Sequence, residues 1–150
     1  MQKVKNCSWQ FFEKLVVDLL LKMGYGGTRK EAGELKGKPG DEGIDGIINE
    51  DRLGLDVIYV QAKKWDTSVG RPEIQKFVGA LARQGAKKGV FITTSRFSPD
   101  ATSYVPKNET KVILIDGSRL VELMIEFELG VSSKEVYKLK IADDDYLNEE

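Results

Sequence analysis

The chain has 150 residues, 41% of them hydrophobic and 31% charged, with no histidine, one cysteine and a formal net charge of −1. That length and balance suit one globular domain with its own core and exclude a disordered chain. Without histidine, zinc sites built on His, Ser-His-Asp triads and nucleases using a histidine base are excluded, so any general base or metal ligand must be a carboxylate, an amide, a lysine or backbone.

Lone Cys7 excludes an internal disulfide. No apolar run approaches the ~18 residues of a membrane span, and the first residues, MQKVKNCSW, lack the apolar centre of a signal peptide. A reducing, cytoplasmic compartment is expected. Charge is unevenly spread: residues 1–108 hold 18 bases and 13 acids, residues 109–150 hold 5 and 11. A basic body with an acidic tail is compatible with phosphate binding, and equally with ordinary solvated surface charge.

The spacing of Phe12, Leu15, Val16, Leu19, Leu20 and Met23 predicts a helix over 8–23, capped by Ser8 and stopped by Gly24 and the Gly26-Gly27 pair. Residues 28–43 are polar and Gly-rich and read as a short strand followed by a loop. Residues 44–49 and 55–63 read as two strands joined by a turn around Glu50 to Gly54. LDVIYVQAK is apolar on both faces over its middle, which places it centrally in a sheet. Arg71-Pro72-Glu73 opens a second helix with proline in its first turn. GVFITTS, 89–95, predicts a buried strand, Ser98-Pro99 caps a short helix, and KVILID, 111–116, predicts another strand. Asp116-Gly117 turns into a helix over 118–128, VYKLKI (136–141) reads as a last edge strand, and the acidic final ~15 residues read as frayed. The order predicts an α/β fold: a mixed β-sheet flanked by helices around an α-β-β-β-α-β core, in one domain spanning 1–150.

Side chains alternate along a strand, so Gln61 and Lys63 share a face with Leu55, Val57 and Tyr59. That face is apolar until the strand ends. Folding the hairpin about residues 52 and 53 sets Asp45 opposite residue 60 or 61, within ~5 Å at Cβ of its directly opposed partner. A carboxylate, an amide oxygen and an ammonium then converge. Glu13, at the edge of the first helix's apolar stripe, reaches the rim of whatever that helix packs on. Such an oxygen-rich notch suits Mg²⁺, held by Asp45, Gln61 and the Ala62 carbonyl, with Lys63 orienting or deprotonating a water or holding transition-state charge. Each residue alone has a plainer reading. Asp45 sits in a turn-like Gly43-Ile44-Asp45-Gly46, Lys63 and Lys64 can be a solvated strand end, and Glu13 a surface residue. Buried Gln61 is harder to set aside, because a buried amide needs partners.

These segments resemble the catalytic domain of Mrr-type restriction endonucleases in the PD-(D/E)XK nuclease superfamily. The matching pieces are FEKLVVDLLLKMGY, GDEGIDG, VIYVQAKKW, GRPEIQKFVGAL, KKGVFITTSRFSPDA and VILIDGSRLVELM, in family order over most of residues 11–124. The resemblance implies a restriction-endonuclease-like fold and Mg²⁺-dependent hydrolysis of DNA, with Mn²⁺ as a substitute ion, in restriction of foreign or methylated DNA. It gives catalytic places to Asp45, Gln61, Lys63 and Glu13. Gln61 stands where the superfamily has a carboxylate, though glutamine is usual in the Mrr branch; weaker metal binding follows. Mrr-like enzymes usually carry an N-terminal DNA-binding domain, and none is expected here. The chain is then either a fragment of a longer protein or a stand-alone domain whose targeting comes from a separate domain or subunit, and a homodimer on double-stranded DNA, associated with the nucleoid, is expected.

Lys64, Arg71, Thr94 and Ser95 are weaker candidates for DNA phosphate contacts, as are Lys87 and Lys88; strand-end hydrogen bonding explains Thr94 and Ser95 as readily. Tyr59 and Trp65 read as packing residues. Two rival functions stay open: a non-catalytic DNA-binding or assembly module on a nuclease fold, and a junction-resolving nuclease.

Overall fold

A computed structural model of the chain describes residues 1–26, 43–105, 109–142 and 147. Its elements are α1 (Gln2–Lys5), α2 (Trp9–Lys22), β1 (Gly46–Asn49), β2 (Val57–Lys63), α3 (Arg71–Arg83), β3 (Lys88–Thr93), α4 (Pro99–Tyr104), β4 (Lys111–Ile115) and α5 (Gly117–Glu126). Local sequence accounts for most of the ends. Ser8 Oγ accepts from Phe11 N–H to cap α2, Ser98 Oγ from Ala101 N–H to cap α4, and the Asp116 carboxylate from Arg119 N–H to cap α5.

The strands form one four-stranded mixed sheet in the order β1-β2-β3-β4. β1 runs antiparallel to β2, while β2, β3 and β4 are mutually parallel. One face is covered by α2 and α5, through Phe12, Val16, Leu19 and Leu120 on Ile58, Val60, Ala62 and Ile92. The other is covered by α3 and α4, through Ile74, Phe77, Leu81 and Ala101 on Phe91 and Val112. This is the α/β arrangement that the order of elements predicts, a mixed sheet flanked by helices, with apolar residues on both faces of the central strands.

Several boundaries differ from the sequence reading. β1 and β2 begin two residues later than expected, and Leu55 lies outside β2, exposed, so it does not share the Gln61 face. The one-turn helix α1, with Val4 buried, was not anticipated. The strand expected within 28–43 lies outside the described residues, save Gly43.

The edge strand expected over 136–141 is not formed: those residues are irregular and exposed. Topology disfavours one of the two ways in which it could pair. The connections β2–β3 and β3–β4 pass through α3 and α4 on one face and step in the same direction across the sheet. α5 leaves β4 on the opposite face. A further parallel strand beyond β4 would need a crossover of the opposite hand, the rare case at about 2%.

Candidate active site

The antiparallel ladder pairs Gly46 with Val60, and one step beyond β1 the Asp45 N–H donates to the Val60 carbonyl at 2.8 Å. The next register position sets Asp45 across from Gln61. Asp45 Oδ2 accepts from Gln61 Nε2 at 2.5 Å and from the Ala62 N–H at 2.7 Å. The backbone of Asp45 and its side chain are therefore both held by β2. Ile44 anchors the approach by burying in the α3–α4 core. Gly43 adopts φ +104°, open to glycine, and comes close to α3 and Gln61: an added Cβ would stand 3.6 Å from Ala80 Cβ, Lys76 O and Gln61 Oε1.

Gln61 is 2% exposed. Its amide nitrogen turns to Asp45 and its oxygen to the Gly43 side. Lys63, next on the same face, lies with its ammonium 5.5 Å from the centre of the Trp65 ring. Burial pushes the Asp45 carboxyl above its ordinary value of 3.8, against the lowering effects of the Ala62 N–H, the Lys63 charge and Gln61. The structure thus brings Asp45, Gln61, Ala62 and Lys63 to one end of the β1–β2 pair.

Glu13 is placed differently. It lies on α2, on the face of Ile58, Val60 and Ala62, and accepts from Trp9 Nε1 at 2.8 Å. Among the described residues no hydrogen bond or ion pair joins it to Asp45, Gln61 or Lys63. The sequence reading missed α3's share in the site. Glu73 and Lys76, an ion pair at 3.1 Å, line a cleft of about 320 Å³ together with Gly43, Gln61 and Lys63. Both were in view as members of a helix; only the packing of α3 beside the Gly43 loop gives them this position.

The outlying candidates separate. The Thr94 hydroxyl is buried and donates to the Trp65 carbonyl, so it secures the strand end. The Ser95 hydroxyl donates to the Asp66 carbonyl at 3.3 Å but remains near the surface. Arg71 pairs with Asp100 and covers the Tyr104 ring. Lys88 is engaged by Glu50 and Asp56 at the opposite end of β2 from the Asp45 cluster, and Lys87 adjoins it. Tyr59 and Trp65 pack against the α3–α4 core, as expected.

A family model for the Mrr catalytic domain, described as restriction endonuclease, matches residues 4–124. The chain belongs to this family. The Mrr-type chain is 53% identical over 135 residues to the type IV methyl-directed restriction enzyme EcoKMrr of Escherichia coli (strain K12), which covers 90% of this chain and 43% of that enzyme. It therefore spans less than half the length of that relative. Among solved structures it is similar to the DNA modification-dependent restriction endonuclease AspBHI, with a TM-score of 0.54 and 20% identity over 80% of this chain and 31% of that one. A likeness to the MspJI restriction endonuclease in complex with a 27-mer oligonucleotide has a TM-score of 0.49 and 24% identity, over 74% and 25% of the two chains. The AspBHI likeness agrees with the fold assigned above.

The Mrr-type site can be tested for a divalent cation on its own chemistry. Asp45 is a carboxylate whose burial disfavours its charge, a cost that a neighbouring cation would offset. Gln61 Oε1 faces away from Asp45 toward the cleft, and the alternation of the strand directs the Ala62 carbonyl to the same edge as its N–H. These are hard oxygen donors with one formal charge, and among the described residues no group of three His, Cys, Asp or Glu side chains forms a denser cage. The set fits Mg²⁺ or Mn²⁺ bound through few protein ligands, the rest of its shell being water.

Proposed function

We propose that this domain cleaves phosphodiester bonds of double-stranded DNA with Mg²⁺, Mn²⁺ serving in its place, and that it acts in restriction of methylated or otherwise modified DNA in the cytoplasm. One observation carries the proposal: the half-buried Asp45 carboxylate, fastened to β2 by the Gln61 amide and the Ala62 N–H, stands beside Lys63 where the ladder ends. The methyl-directed character of the E. coli relative supports the choice of modified DNA. A separate targeting domain or subunit belongs to the same reading, and cutting both strands calls for two copies on the DNA.

In this reading Asp45 and the Ala62 carbonyl hold the cation, which when bound would supply Lewis acidity and positive charge at the scissile phosphate, and Gln61, whose Nε2 faces Asp45, brings Oε1 to the same cation by turning its amide over. The Ala62 N–H keeps the carboxylate oriented. Lys63 presents an ammonium to the negative charge that builds on the phosphate oxygens, or holds the attacking water. Burial of the surrounding strand strengthens both effects. Lys64 and Ser95 lie near enough to the surface to contact the DNA backbone, which would register as salt dependence.

Plasmid cleavage tests the reading. Lys63→Ala and Asp45→Ala should each abolish Mg²⁺-dependent nicking of methylated plasmid while circular dichroism stays native. Undiminished cutting by both variants would overturn it. One feature favours a second reading, a non-catalytic DNA-binding module: Gln61 gives Asp45 a neutral donor instead of a second acid. Calorimetric titration separates the two, since the nuclease reading requires Mn²⁺ binding that is lost in Asp45→Asn.

A further inference from the structure

Among the described residues β4 is hydrogen-bonded along one edge only, to β3. Ile113, in the middle of β4, is 45% exposed. Beside it the sheet face opens into a mostly apolar hollow of about 460 Å³, lined by Leu20, Met23, Tyr25, Ile58, Val90 and Ile113 among others. The same chain carries a segment of strand character without a strand to join. In residues 136–141, VYKLKI, Tyr137, Leu139 and Ile141 alternate with Lys138 and Lys140, and Leu139 and Ile141 are 98% and 94% exposed. An unpaired sheet edge and an exposed alternating segment are each features that proteins pair or cover.

The segment is poorly placed to reach its own β4. A parallel approach meets the handedness barrier described above, because α5 crosses on the wrong face. An antiparallel approach fails on length. The end of α5 lies where the parallel strands begin: Lys22 at the end of α2 donates to the Glu128 carbonyl, and Gly26 just beyond α2 donates to Asn49 at the end of β1. An antiparallel strand would have to start at the far end of β4. Residues 131–135, fully extended, reach ~17 Å, about the length of β4 itself, leaving no chain to make the turn.

We infer that residues 136–141 of one copy pair with the β4 edge of a second copy, reciprocally, to form a strand-exchanged dimer. Alternation then lays Tyr137, Leu139 and Ile141 over Ile113 and the hollow, and turns Lys138 and Lys140 to the other side. One aromatic side chain buries ~150–250 Å², and reciprocity doubles what one tail and one edge contribute. The isologous form closes the assembly at two copies and leaves no further edge to propagate. The inference does not depend on chemistry at Asp45, so Lys63→Ala should dimerise as the parent does.

Sedimentation velocity on the 150-residue chain tests it, with a variant ending at Ser133 and with Leu139→Pro, each checked for native circular dichroism. The parent should be dimeric, and both variants should dissociate about tenfold or more readily. A parent that stays monomeric at about 100 μM, or a dimer that survives removal of the tail, would overturn the proposal. In a Cys7→Ser background, chains carrying Ile113→Cys should crosslink to separate chains carrying Leu139→Cys through a short bis-maleimide. A chain bearing both cysteines that yields only the internally linked monomer would show pairing within one copy and also overturn it.

Discussion

The β1–β2 pair carries a charged cluster at each end, and the two are built on opposite terms. At one end Lys88 meets Glu50 and, at 2.6 Å, Asp56. The groups there satisfy one another: hydrogen bonding from Lys88, then from the Val57 N–H, draws the Asp56 carboxyl below its ordinary 3.8, and bonds from Asp56 and Glu50 raise the Lys88 ammonium. At the other end burial pushes the Asp45 carboxyl up despite three groups working to lower it. The first cluster is half-exposed and sets one ammonium between two carboxylates, each of which it engages directly, so it serves the fold. The second keeps a carboxylate at a cost that nothing in its immediate surroundings cancels, and such an arrangement is the kind found where a cation or a charged transition state completes the site.

The comparison breaks most decisively at the two lysines. Lys63→Met should lower cleavage of methylated plasmid on the order of 10²–10³-fold with little change in Tm, as when one transition-state donor is lost. Lys88→Met should leave cleavage near the parent's. If both variants lose activity alike, the division between the clusters fails.

A second change applies pressure at the site's end of the sheet without touching its charges. A Cβ on Gly117, at the start of α5, would stand 2.5 Å from the Thr94 carbonyl oxygen. Gly117→Ala should destabilise by about 1–3 kcal/mol, read by urea unfolding. A neutral result would mean that α5 can shift away from β3 freely.

Asp45→Asn sharpens the contrast through its sign. Because the folded pKa is raised, ionised Asp45 opposes folding at neutral pH, and the opposition fades as pH falls through the folded value. The variant should therefore melt higher than the parent at pH 7, with a gain that shrinks in acid, while losing cleavage. Asp56 has the reverse sign. Its folded pKa is lowered, so its contribution is present above the unfolded value and is lost as pH falls through the folded one. Lys88→Met should produce the smallest effect: a slight, salt-sensitive loss of thermal stability at pH 7, diminishing on acidification. Stability independent of salt in both proteins would remove the ion cluster from the fold's support.

Much of this could be read from the chain before any coordinates. Ser8, Ser98 and Asp116 announced their helices because a short side-chain acceptor before an apolar-periodic run is a local signal. The neighbourhood of Asp45 and Gln61 was legible because hairpin register follows from the turn and the two-residue period. Glu73 and Lys76 were not, since nothing local says which helix packs beside the loop at Gly43. VYKLKI has strand periodicity, but periodicity says only that a segment can pair. Whether an edge is within reach depends on which face α5 crosses, a property of the assembled sheet. The amino-acid sequence by itself determined most of the elements, their amphipathic faces and the acid–amide–ammonium grouping, because these rest on interactions between near neighbours and on alternation. Only the tertiary structure decided the burial that raises Asp45, the wall that α3 adds to the cleft and the β4 edge left without a strand among the described residues, because each depends on packing between segments far apart in the chain.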